Sequence, residues 1–161
     1  LQDSITGLAN RALLFTQMKL SMTEVEYGQK IAIHYIDLDH FKPINDNHGH
    51  DTGDAILKAV ASRLLDCVRD ADTVARIGGD EFVVIQTGIR SARDAEVVGN
   101  RIIKAVSRSH VVRAHTFYVG ASIGVSLAPW DGVCAEELIR KADSAMYKSK
   151  RSGGNQLSFF S

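Results

Sequence analysis

Apolar residues along this chain switch repeatedly between a helical and a strand period. Leu14, Met18, Met22 and Val25 recur on one face of a 3.6-residue repeat, which predicts a helix ending near Gly28. The next run, Ile31 to Asp39, is apolar on both parities until Asp37 and predicts a central strand covered on both faces. Residues 42–54 carry lysine, proline, asparagine, aspartate, histidine and glycine, and read as a polar surface loop. Ile56, Val60, Leu64 and Val68 then predict a second helix. Two β-branched runs, Asp72–Ala75 and Val83–Gln86, flank Gly78-Gly79 and predict a hairpin, because glycine supplies positive φ cheaply. Ala95, Val98, Ile102 and Val106 mark another helix, with Gly99 a mild defect in it. Residues 117–127 are strand material interrupted by Gly120 and Gly124, which suggests close backbone packing or a bulge. Pro129 to Gly132 form a turn. Leu138, Ala142, Ala145 and Met146 make the stripe of a last helix, stopped by Ser152 to Asn155, and residues 156–160 can close as a strand.

The order is helix, strand, helix, hairpin, helix, strand, helix, strand. Helices alternating with strands around a central hairpin predict an α+β sandwich of ferredoxin-like type, with helices flanking a mixed, mainly antiparallel sheet. No repeat or linker divides the chain, so residues 1–161 read as one domain. The start at Leu1 rather than methionine leads us to expect a segment of a longer, multidomain protein.

Lys plus Arg and Asp plus Glu number 19 each, so the net charge is zero, which argues against nucleic acid or an anionic membrane as the main partner. The two cysteines, Cys67 and Cys134, form no metal or disulfide pattern, and the default compartment is a reducing cytoplasm. No apolar run approaches the ~18 residues of a membrane span, so this segment is expected to make no direct membrane contact. Any membrane anchor would lie elsewhere in the full-length protein.

Two places break the folding logic. Asp37 shares a face with Asp39 at the end of a buried strand, where a carboxylate is costly unless paired or bound to a cation. The ordinary alternative is a cap for a helix starting at Phe41, which suits Asp39 better than Asp37. Asp80 and Glu81 sit beside the hairpin glycines, a poor place for strand propensity. Bare Gly78 and Gly79 next to two carboxylates would let a phosphate-bearing ligand approach backbone and metal together. Alone, the hairpin would pass for a turn with a solvated acidic flank.

Taken together, the pieces are specific. Asp3, Ile5-Thr6-Gly7-Leu8 and Asn10-Arg11 are followed by Asp37-Leu38-Asp39-His40-Phe41-Lys42, Asn45-Asp46, Gly49-His50 and Gly53-Asp54. Arg76, Gly78-Gly79-Asp80-Glu81-Phe82 and Ala121-Ser122-Ile123-Gly124-Val125 complete the series in the same order. This set resembles the GGDEF family of diguanylate cyclases over essentially the whole chain. The resemblance implies a nucleotidyl-cyclase-type sandwich that condenses two GTP into cyclic di-GMP and two pyrophosphates. Each domain would present one GTP, so turnover would need a second GGDEF domain facing it, as in a homodimer.

The resemblance also implies roles. Asp37, the Leu38 carbonyl and Asp80 match the magnesium ligands, with manganese as an alternative ion. Either Asp80 or Glu81 matches the proton acceptor, and sequence leaves that choice open. Lys42 matches a position that stabilises phosphate charge in the transition state. Asn45 and Asp54 match the guanine readers, suited because guanine offers an acceptor at O6 and donors at N1 and N2; a first-turn helix carboxylate is Asp54's ordinary reading. His50 matches a nucleotide contact, and Lys150 the helix lysine that reaches the phosphates. Arg69 and Asp72 stand at the spacing of the family's product-inhibition site, and Arg101 matches its third member despite one extra residue after Phe82. The chain departs from the family at Gly154, where arginine is usual; Arg151 would replace it only if its side chain turns toward the site. That departure, with an ending at residues 156–161 like the lead into an EAL phosphodiesterase domain, keeps a second reading open. In it the domain is a weak or inactive regulatory module that binds GTP or cyclic di-GMP.

Overall fold

The computed structural model describes residues 1–161. Helix α1 (Arg11–Glu26) leads into β1 (Ile31–Asp39), α2 (Phe41–His48) and α3 (His50–Cys67). The hairpin follows as β2 (Thr73–Gly78) and β3 (Glu81–Gln86), then α4 (Ala92–Val106), β4 (His110–Val112), β5 (His115–Phe117) and β6 (Gly120–Ala128). Helix α5 (Ala135–Arg151) and β7 (Leu157–Phe159) close the chain. The five-stranded sheet runs β2-β3-β1-β6-β7, antiparallel except for the parallel β6–β7 pair. This is the mixed, mainly antiparallel sheet flanked by helices that the hydrophobic periods predict.

Strand β1 lies at the centre because both its faces are apolar. Ala32, Ile36 and Leu38 join Val60, Leu64 and Ile102 in one core beneath α3 and α4. Ile31, Ile33 and Tyr35 join Leu14, Met18, Ala142 and Met146 in the other, beneath α1 and α5. Gly124 permits the second layer: a Cβ there would lie 2.0 Å from the Ala142 carbonyl and 2.1 Å from the Met146 nitrogen. The close packing suggested by the two strand glycines is therefore the approach of α5 at Gly124 and of the Asp39 and Asn155 side chains at Gly120.

Three expectations need correction. Residues 42–54 are not a loop: α2 and α3 occupy nearly all of them, separated by Gly49 at φ 90°. Buried Phe41 anchors α2, and Pro43 is tolerated in its first turn, where the missing N–H has no intrahelical partner. Asp39 does not cap that helix. His40, in the left-handed region at φ 66°, holds the cap position and makes no side-chain cap bond. The single strand read over 117–127 is two. It breaks at Tyr118-Val119, and its first part pairs with β4 in a small separate hairpin. There Phe117 takes the edge of His48 at 4.9 Å between ring centroids, and this aromatic contact between distant segments leaves no periodic trace. No helix is long and apolar enough to cross a membrane.

Candidate active site and cleft

The C-terminal end of β1 and the β2–β3 turn form one acidic corner. Gly78 at φ 143° and Gly79 at φ 49° make the turn, with a bulge between Arg76 and Gly78. Asp80 therefore sits within the turn, and Glu81 is the first residue of β3. The turn is tied to β1 by the Leu38 N–H, which donates to the Asp80 carbonyl at 3.2 Å. Arg76 braces it from behind: its guanidinium donates to the Gly79 carbonyl at 2.9 Å and to Asp3 at 2.8 Å. Burial opposes the charge on Asp3, but bonds from Thr6 and the nearby Arg76 hold its carboxyl below the usual range.

Lys150 enters this corner from α5. Its Nζ lies 3.2 Å from Asp37, 3.0 Å from Asp39 and 3.1 Å from the Leu38 carbonyl. Burial alone would depress the ammonium, yet the bond to Asp39 and the two carboxylate charges outweigh it and raise its pKa. Asp37 is pushed up to about 6, first by burial and then by the charge of Asp80; the ion pair with Lys150 pulls the other way and does not win. The corner thus carries a surplus of negative charge that one ammonium leaves uncompensated. No three His, Cys, Asp or Glu side chains converge on a common metal position. Asp37, Asp80 and the Leu38 carbonyl nevertheless make an all-oxygen set at this anionic corner, which suits a hard dication.

Two residues outside the expected set belong to the corner. Asp39 is buried and accepts from the Ser122 hydroxyl, the Asn155 backbone N–H and Lys150. Tyr35 donates its phenol hydrogen to Glu81 Oε1 at 2.9 Å, and burial together with that carboxylate raises the phenol's pKa. Both share the parity of Asp37, which for Tyr35 is the only sign in the sequence.

Lys42 is exposed on α2, next to this corner in the chain, and its ammonium makes no hydrogen bond or ion pair. Asn45 Nδ2 lies 3.3 Å from His50 Nδ1 across the α2–α3 junction. Its side chain also rests on Gly53, where a Cβ would come within 2.1 Å of Asn45 Oδ1. Asp54 follows on α3, in the second helical turn rather than the first, so dipole compensation explains it less well. Gly154 adopts φ 76°, with the Asp39 carboxylate 3.0 Å from where its Cβ would be. Arg151 does not fill the gap: it borders a cleft with Lys148, Phe159 and Phe160 instead.

Arg69, Asp72 and Arg101 come together in a separate cleft of about 420 Å³ between the far end of β3 and α4. Asp72 accepts from the Arg69 and Thr87 backbone N–H groups, both at 2.9 Å, and Arg101 donates to the Cys67 carbonyl at 3.0 Å. Arg69 donates to the Thr87 carbonyl. Arg90, Asp94 and Gln86 add polar groups to the lining, outside the set expected from the sequence. The five-residue step from Glu81 to Gln86 separates this cleft from the acidic corner by roughly 17 Å at 3.3 Å per residue.

Known proteins share this sequence pattern and fold. The family model described as "Diguanylate cyclase, GGDEF domain" matches residues 1–156. Among curated relatives, the bifunctional diguanylate cyclase/cyclic di-GMP phosphodiesterase MucR of Pseudomonas aeruginosa is 38% identical over 161 residues, covering 99% of this chain and 23% of that protein. The probable diguanylate cyclase DgcE of Escherichia coli is 38% identical over 164 residues, covering 98% of this chain and 14% of that protein. The chain thus spans less than a quarter of these relatives. Among solved structures, the GGDEF domain of YfiN (TpbB) from Pseudomonas aeruginosa superposes with a TM-score of 0.97 at 32% identity, covering 100% of this chain and 95% of that one. The GGDEF domain of DgcB from Caulobacter crescentus, in complex with c-di-GMP, gives 0.90 at 30% identity, covering 98% and 94%.

Proposed function

This chain belongs to the GGDEF family of diguanylate cyclase domains, and from that premise we propose that it is a working cyclase with a separate product-binding cleft. The observation that carries this reading is the convergence of Asp37, the Leu38 carbonyl, Asp80 and Lys150 on one corner. In the reaction a ribose 3′-hydroxyl oxygen bonds to the α-phosphorus of the other GTP, the bond to pyrophosphate breaks, and the hydroxyl proton passes to a base. Asp37, Leu38 and Asp80 would hold magnesium, or manganese, which neutralises triphosphate charge when bound. Lys150 and Lys42 would add cationic contacts to the phosphates. Asn45, His50 and Asp54 would receive the nucleoside, with the guanine edge read by the amide and the carboxylate. Gly78 and Gly79 would give the nucleotide a turn without side chains, since nothing lies within 4 Å of a Cβ placed at either.

Because one domain offers one nucleotide, alignment of the hydroxyl with the α-phosphate requires a second copy facing the first. Arg69, Asp72 and Arg101 would bind cyclic di-GMP in the second cleft and restrain that encounter. One observation favours the other reading, a regulatory module with little or no turnover. Gly154 stands where the family usually has arginine, and Arg151 faces elsewhere. Incubating the purified domain with GTP and magnesium, followed by nucleotide analysis, separates the two. Cyclic di-GMP and pyrophosphate are expected in a ratio of one to two; unchanged GTP would leave the regulatory reading standing.

A further inference from the structure

The face of β1 that packs under α1 and α5 is apolar through Ile31 and Ile33 and then presents Tyr35, with 5% of its surface exposed. Packing alone asks only for the ring, which phenylalanine would supply. A buried hydroxyl is costly unless it is bonded, and this one finds a carboxylate, Glu81 Oε1 at 2.9 Å. The register explains how they meet. Asp37 lies directly opposite Glu81 and Tyr35 opposite Val83, so Tyr35 and Glu81 are diagonal neighbours on one face. Two carboxylates directly opposed across antiparallel strands repel. Glu81 turns from Asp37 toward the phenol, and its Oε2 makes no hydrogen bond within the chain. Asp80, in the turn, carries no such restraint.

We propose that Tyr35 is a positioning residue for Glu81: its hydroxyl fixes Oε1, holds the carboxylate off the Asp37–Asp80 pair, and leaves Oε2 as the oxygen presented to the reacting nucleotide. This assigns the two adjacent acids different work, Asp80 at the cation and Glu81 as the oriented carboxylate beside it. It also gives a role to a hydroxyl that the packing of this layer does not require. The ring forms one wall of a cleft of about 260 Å³ with Arg11 and Asp143, so the tether lies between that cleft and the acidic corner. The inference rests on the cyclase reading for its consequence in turnover, while the tether itself can be measured without turnover.

The test compares the parent chain with Tyr35→Phe, which keeps the ring and removes the hydroxyl. With GTP and magnesium, kcat is expected to fall about tenfold, the order of one lost charge-assisted hydrogen bond, with KM for GTP within about twofold. The thermal midpoint should stay within about 3 °C, since the ring still fills its place. A second measurement needs no catalysis: manganese affinity by electron paramagnetic resonance, with a non-hydrolysable GTP analogue present. Tyr35→Phe should shift it about fivefold in the parent background, as the freed carboxylate reaches the cation. The same substitution should shift it not at all in a Glu81→Gln background. Unchanged kcat in Tyr35→Phe overturns the proposal, as does an equal or absent manganese shift in the two backgrounds. If the parent makes no product, the cyclase reading fails by itself, and the manganese comparison alone decides whether Tyr35 positions Glu81.

Discussion

Asp39 accepts the Asn155 backbone N–H at 2.7 Å, joining the end of the central strand to the loop that follows the last helix. The same carboxylate takes the Ser122 hydroxyl at 2.7 Å and Lys150 at 3.0 Å. It therefore fixes where Lys150 enters the acidic corner. Asp39→Ala should destabilise the fold by about 1–3 kcal/mol, because it leaves the buried Ser122 hydroxyl and the Asn155 backbone donor without their acceptor and takes one of two carboxylates from the half-buried Lys150. Urea denaturation reads that loss. GTP affinity should also fall as Lys150 loses its anchor. An Asp39→Ala protein with parental stability would show the network to be dispensable.

Asp80→Asn should remove product formation while sparing the fold. Asp80 lies in a turn, makes no side-chain bond that folding needs, and adds negative charge to Asp37. A drop of at least about 100-fold in turnover is expected with stability within about 0.5 kcal/mol of the parent. Substantial turnover in a folded Asp80→Asn protein would remove Asp80 from the cation site.

Asn45→Ala and Asp54→Ala should weaken GTP more than ATP. A site that pairs with a base edge discriminates because its own polar groups are left unpaired by the wrong base. Calorimetry with both nucleotides checks this. Equal losses would mean that Asn45, seated against Gly53 and His50, serves the α2–α3 junction instead.

Arg69→Ala should retain GTP binding and lose high-affinity cyclic di-GMP. The second cleft lies at the opposite end of β3 from the acidic corner, so the two sites can be disabled separately. An arginine fork and an aspartate match the acceptor and donor edges of guanine. If the domain turns over, the variant should also escape inhibition by product, which is what coupling between distinct sites requires. Parental affinity for cyclic di-GMP would reduce Arg69 and Asp72 to a surface pair.

His34 governs an acid limit on stability. Burial depresses its imidazole, which meets Gln86 at 2.9 Å and leaves Nδ1 without a partner. Its folded pKa lies below the unfolded value of about 6.5. The contribution is therefore complete above that pH and is lost as pH falls, because only the unfolded chain takes up the proton. Asp37 works oppositely: raised to about 6, it favours the folded state as pH falls through that region. The comparison of parent with His34→Gln cancels the Asp37 contribution. The parent should lose up to about 1 kcal/mol more between pH 6.5 and 5.5. Parallel pH curves would acquit His34.

Short-range chemistry was legible in the residues themselves. The amphipathic stripes of α1, α3, α4 and α5, the doubly apolar β1 and the Gly78-Gly79 turn follow from periods and backbone preferences that act over a few residues. A carboxylate at the end of a buried strand announced Asp37 in the same way. Tertiary structure alone decided the rest, because those decisions join residues far apart in the chain. Lys150 reaches the Leu38 carbonyl across 112 positions, and Asn155 reaches Asp39 across 116. The polar run after β1 became α2 and α3 once Phe41 found the core, since burial outweighs weak local helix propensity. Tyr35 looks like one more apolar strand residue until the register sets it diagonally from Glu81. Arg101 joins Arg69 and Asp72 despite its shifted spacing, because a helix packed across a sheet is placed by its buried face, not by counting along the chain.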